Sequence, residues 1–136
     1  MRRQDIINAL KIRLSAIEGI NNVYEWAGVN LNKDEMPIIV LRDTKNGADN
    51  SPSGSTVHSL TIEIEIVVSA GDTTMQTLRA LMGEVLKSLE EQENETDIVC
   101  YREYTDDEIM SEHADNFYGG AKMRFIFRYA TAKWEL

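Results

Sequence analysis

The 136-residue sequence has one cysteine, two prolines and two histidines. It also has no apolar run approaching the roughly 18 residues that cross a bilayer. Each scarcity excludes something. Cys100 alone cannot form an internal disulfide, and its neighbours "DIVCY" read as a strand, which predicts a buried, reduced thiol. Asp5, Lys11 and Arg13 interrupt the N-terminal apolar pattern, so the paired Arg2 and Arg3 do not read as an export signal. Cytoplasmic synthesis and folding are expected, with no membrane partner. His58 and His113 lie in different segments without a second ligand at metal spacing. "DDEIMSEH" offers Asp106, Asp107, Glu112 and His113, but at no spacing that specifies a metal, and reads as a solvated acidic loop.

Catalytic patterns are equally scarce. "SAGD" and "FYGGAK" lack the later glycines and the lysine of a phosphate-cradling loop. "SPSGS" lacks the first glycine and the strand-to-helix setting of a nucleophile elbow. Glu63 and Glu65, two apart on one strand, have the chemistry for acid/base work. They read more simply as a solvated or salt-bridged face. No catalytic residue, metal or cofactor is assigned, and the expectation is a protein that is not an enzyme.

What the sequence does have is patterned charge and patterned hydrophobicity. The net charge of −9 argues against specific nucleic-acid binding, which rests on clustered Lys and Arg. Its distribution is uneven. Both ends of the chain are basic, +3 over residues 1–13 and +3 over 119–136, whereas 84–115 holds twelve acidic and two basic groups. Such polarity suits copies that meet through opposite-signed surfaces, or an acidic face that meets a basic partner.

Ile6, Ile7, Leu10, Leu14 and Ile17 recur at helical spacing, with Gly19 as a stop. "INNVYEWAGV" reads as a short strand or extended segment and "NLNKDE" as a polar turn. In "MPIIVLRD", Pro37 suits the start of a strand. Ile38, Ile39, Val40 and Leu41 are apolar on both faces, so that strand is covered twice or its second face meets another molecule. "DTKNGADNSPSGST" (43–56) reads as a flexible, irregular loop. "VHSLTIEIEIVVSA" alternates, with Leu60, Ile62, Ile64, Ile66 and Val68 on one face and Thr61, Glu63, Glu65 and Val67 on the other.

A second helix is expected in "GDTTMQTLRALMGEVLKSLEEQENE", capped by Asp72 or Thr73, with a stripe of Met75, Leu78, Leu81, Met82, Val85, Leu86 and Leu89. "DIVCYREYT" reads as a strand and "DDEIMSEHADNFYGG" as an acidic loop. In the last strand Ala121, Met123, Phe125, Phe127 and Tyr129 point one way and Lys122, Arg124 and Arg128 the other. Glu63 and Glu65 therefore pair with Lys122, Arg124 or Arg128 across one sheet, or between neighbouring subunits. Trp134 lies beyond the last strand, as an interface anchor if exposed; packing onto its own domain is the plainer expectation. Taken together, these elements predict one α+β domain over residues 1–136: an antiparallel or mixed sheet with two helices on one face.

This order also resembles a known family. The opening helix, the "PIIV" strand, the irregular loop, the long "HSLTIEIEIVVSA" strand, the helix around "TLRALMGEVLKSL" and the closing "GGAKMRFIFRYAT" strand are similar to the phage tail terminator family, the minor tail protein U-like proteins of tailed bacteriophages and prophages. The resemblance lies in order, length and pattern over nearly the whole chain. It implies a virion structural subunit made in the host cytoplasm, which forms a hexameric ring on the tail tube, stops tube polymerisation and presents a surface to the head connector. Self, the tail tube protein and the head-tail connector are the implied partners. Candidate interface residues are Glu63, Glu65, Lys122, Arg124, Arg128 and Trp134, with Lys45 and Asp49 in the 43–56 segment. The alternative is a small α+β protein-binding adaptor that makes no ring.

Overall fold

The computed structural model describes residues 1–26, 33–113 and 117–136, the side chains of Lys33 and His113 excepted. Among them are helices α1 (Arg3–Ser15) and α2 (Thr74–Leu89) and strands β1 (Asn22–Glu25), β2 (Ile38–Asn50), β3 (Ser55–Val68), β4 (Tyr101–His113) and β5 (Phe117–Ala132). The strands form one mixed sheet in the order β1-β2-β3-β5-β4. β1 runs parallel to β2, and the other neighbours are antiparallel. The result is the α+β fold that the sequence pattern predicts.

Both helices bury their stripes on one face of the sheet. Ile6, Ile7, Leu10 and Leu14 of α1 and Leu78, Leu81, Val85 and Leu89 of α2 share a core with Ile39, Leu41, Leu60, Ile62, Ile64 and Ile66 of the sheet. The inward residues of β5, from Ala121 to Tyr129, complete it. Asp5 in the first turn of α1 accepts the Arg2 N–H at 2.9 Å, where a negative charge suits the helix dipole. Beyond α1 the chain turns at Gly19, whose φ of 96° lies in the region that a side chain disfavours.

The run 38–41 is covered on both faces by the chain itself. Ile39 and Leu41 enter the main core, while Ile38 and Val40 join Met36, Val67, Tyr24 and Tyr118 in a smaller cluster on the opposite face. No second molecule is needed to bury it.

Four expectations change. Residues 43–56 are largely not an irregular loop: β2 continues to Asn50 and β3 begins at Ser55, so only 51–54 make the turn. The alternating β3 segment offers Val57, Ser59 and Thr61 as a template, and even Gly47 and Asp49 pair along it. The turn closes with Ser51 N–H to Ser55 O at 2.8 Å and Gly54 N–H to Ser51 O at 3.1 Å. Likewise the acidic stretch read as a loop is paired: β4 runs to His113 and β5 starts at Phe117. Cys100 lies just before β4, half-buried rather than inside a strand, and burial pushes its thiol up to about 11. Finally, α2 ends at Leu89, and neither expected cap closes it with a side chain; the Thr73 hydroxyl turns back to Ala70 O at 3.0 Å. The buried Thr74 hydroxyl instead accepts the Ala70 N–H and donates to Gly71 O. Residues 27–32 and 114–116, within segments read as strand, turn and loop, lie outside the described residues.

Candidate interaction surface

The face of the sheet opposite the helices carries most of the candidate residues, because strand alternation that buries Ile62, Ile64, Met123 and Phe125 must turn Glu63, Glu65, Lys122 and Arg124 the other way. The β3–β5 register sets Glu63 across from Arg124 and Glu65 across from Lys122. Of the two pairings open in the sequence, the geometry supplies the one within a single chain. Arg124 lies 3.6 Å from Glu63, 3.1 Å from Asp106 and 3.4 Å from Glu108. Hydrogen bonding to Glu108 is the main cause that pushes its already high pKa further up. Arg128 reaches Glu103 at 3.4 Å and lies over the Tyr101 ring. Lys122 makes no ion pair among the described residues.

The main partner of the glutamates was not anticipated. Arg42 on β2 reaches Glu65 at 2.8 Å and Glu63 at 3.3 Å, so β2, β3, β5 and β4 are joined by one lattice of charges. The signal was present: Arg42 follows the "IIVL" run and shares the outward parity of Ile38 and Val40.

The remaining candidates lie at the rim. Lys45 and Asp49 are exposed on the outer arm of β2, across from Thr61 and Val57. Trp134 is 86% exposed, with a φ of 68°, and is not tucked against its own domain. It borders a 260 Å³ cavity with Asn46, Thr56, His58 and Leu136. His58, 2% exposed, is a core residue there: it stacks on Tyr129 and meets Asn46 and Thr131 at 2.9 Å each.

A second cluster of charges, missed in the sequence, fastens the α2–β4 connection. Arg102 has a side chain only 3% exposed. It donates to the carbonyls of Leu89, Glu90 and Ile98 and to both carboxylate oxygens of Glu95. Arg13 of α1 bonds Glu95 from the other side, both oxygens of Asp97 at 2.6 Å, and Ser88 O at 3.0 Å. Burial pushes the Glu95 carboxyl up, but the bonds from Arg102 and Arg13 outweigh it and hold the group below its usual value. The Arg13 bond holds Asp97 down at about 2. These shifts have structural causes, and neither arginine is left free to meet a substrate.

Among the described residues no group of three or more His, Cys, Asp or Glu is arranged to hold a metal ion, and no helix is long and apolar enough to cross a membrane. The His113 side chain, one of the four candidates in the acidic stretch, lies outside the described residues. Fold and surface together define a small α+β domain with α1 and α2 on one face and, among the described residues, an ion-paired opposite face that carries only the small cluster around Ile38 and Val40. No protein-family model matches the chain, and no curated protein matches it in sequence.

Proposed function

We propose that the chain is a structural, non-catalytic subunit of the tail terminator kind. Copies join head to tail in a ring of six that caps a phage tail tube, stops its polymerisation and offers a surface to the head connector. The observation that carries this reading is the sheet face on which neither α1 nor α2 packs. Each subunit has two unlike broad surfaces: a five-stranded one with Val57, Tyr101 and Lys45 exposed, and a helical one on which Ile12 is 73% exposed. A heterologous interface joins unlike surfaces, and a rotation that closes gives a ring. The α+β fold class is the one that the resemblance implies. Because Glu63, Glu65, Arg124 and Arg128 are paired within the chain, the seam falls to the rim residues Lys45, Asp49 and Trp134, with Lys122 on the sheet face between β3 and β4.

On this reading the protein folds in the host cytoplasm, ends in the virion tail, and has neither a membrane partner nor a specific nucleic-acid partner. A second reading, a protein-binding adaptor that makes no ring, draws on the outer edge of β4, which no described strand pairs with. Native mass spectrometry, with and without the cognate tail tube subunit, tests the proposal. A six-membered species in either condition supports it. A chain that stays monomeric in both argues for the adaptor.

A further inference from the structure

β4 closes the sheet on one side. Its inner edge pairs with β5 from Tyr101 to His113, and no described strand pairs with its outer edge. Near its start the Arg102 N–H is taken by the Glu91 carboxylate at 3.4 Å; beyond it, residues 103–113 make a long edge that no described strand covers. Such a row of unpaired N–H and C=O groups is a template for another strand, which proteins blunt by shortening, bulging or charging it. This edge is not short, and its register shifts once, between Tyr104 and Asp106. Its charges are of one sign: Glu103, Asp106, Asp107, Glu108 and Glu112 line the strand, while Arg102 is buried.

Beside the edge is a place for side chains. A groove of about 350 Å³ runs between the end of α2 and β4, with Leu86, Leu89, Tyr104 and Phe125 along it, Glu90, Glu91 and Glu103 at its sides with Lys87, and the buried Arg102 beneath, its guanidinium already bonded to Glu95 and backbone carbonyls. Tyr104, Ile109 and Met110 are large apolar residues left exposed on the same strand. Apolar floor, a rim of three carboxylates and one lysine, and open backbone coincide on one flank. The carboxylates also decide among occupants. Glu103, Asp106 and Glu108 already share Arg128 and Arg124 of β5, whereas Asp107, Glu112, Glu90 and Glu91 make no ion pair among the described residues. A second β4 from another copy would bring like charges against these, which is destabilising, and a basic strand would meet opposite charge.

We propose that the β4 edge and its groove are the docking site for an extended, basic segment of another protein. The segment adds to the sheet as a sixth strand, with lysine or arginine against the carboxylates and apolar side chains toward Tyr104 and Leu86. This goes beyond the ring reading and does not depend on it, since the ion-paired face and the strand edge are different surfaces.

The probe is a short peptide alternating lysine with valine. Its controls are the same peptide N-methylated at alternate backbone nitrogens, and a glutamate-for-lysine version. Fluorescence anisotropy gives affinity, and amide hydrogen exchange on the full chain locates the contact. The expected result is binding of the lysine peptide with slowed exchange in 101–113. Affinity should fall at least about tenfold on N-methylation, and as much in the doubly substituted variant Glu90→Lys with Glu112→Lys, whose parent side chains make no ion pair among the described residues. Equal binding of the N-methylated peptide would reduce the effect to charge adhesion and overturn the proposal. So would protection outside β4. Protection of β4 in concentrated protein without peptide, lost on dilution, would assign the edge to a second copy and overturn it as well.

Discussion

The Arg102 side chain gathers hydrogen bonds from across the α2–β4 connection. Its guanidinium satisfies three carbonyls of the α2–β4 connection and the Glu95 carboxylate together, and the planar fork of arginine fits that task as a lysine ammonium does not. Arg102→Ala leaves Glu95 partly paired and the carbonyls buried without donors. A loss of about 3–5 kcal/mol in urea unfolding is expected, of which Arg102→Lys recovers only part. Acid should act on the same cluster. Asp97 is held at about 2 against a usual 3.8, and Glu95 is also lowered. A carboxyl lowered by folding contributes stability that is complete above its unfolded value and disappears as pH falls through its folded value. Unfolding free energy should therefore be steady down to about pH 5 and decline toward pH 2, with Asp97→Asn flattening the decline; denaturant titrations at fixed pH values measure both. Little of this cluster was legible, because 90–100 has no period of its own and a lone arginine beside a strand start carries no sign of being buried.

At the scale of elements, α2 and β5 approach closely at Gly119. A Cβ there would lie 2.9 Å from Thr74 Cγ2 and 3.1 Å from Met75 Sδ, and Thr74 is held by its own hydroxyl bonds. Gly119→Val should cost about 1–3 kcal/mol through overpacking. At the neighbouring Gly120 the nearest atom is 3.6 Å away, and Gly120→Ala should change stability by no more than about 0.5 kcal/mol. Paired thermal melts compare the two.

The charge lattice belongs to this scale too. Arg124→Glu sets a carboxylate among Glu63, Asp106 and Glu108, so the melting temperature of the single chain should fall, more at low salt than at high. An unchanged melt alongside impaired assembly would move that residue to the seam between subunits. The two helices, β3 and β5 were legible because each alternates or recurs with its own period over many residues. The outer halves of both hairpins were not: Asp43–Asn50 and Asp106–His113 hold residues that disfavour strands, and they extend only because β3 and β5 present a ready ladder.

At the scale of the whole molecule, the uneven charge of the sequence takes a definite form. The arginines of the basic ends are spent inside the chain, Arg2 on Glu135, Arg3 on Asp43, Arg13 on the α2–β4 connection and Arg124 and Arg128 on the sheet face, while Lys122 and Lys133 make no ion pair among the described residues. The acidic stretch collects on the β4 flank and stays largely exposed. The polarity seen along the sequence is thus partly cancelled within the subunit, and what remains is one acidic edge beside an ion-paired sheet face. Sequence patterning reached that face and most of its candidate residues, since strand parity is readable. It did not reach which partner each charge takes, since that depends on strand order.

The ring reading turns on what the protein does to a growing tube. Electron microscopy of tubes assembled from the cognate tail tube subunit, with and without this chain, measures it. Capped ends and a shorter, narrower length distribution are the result predicted. Tubes of unchanged length with bare ends would contradict it.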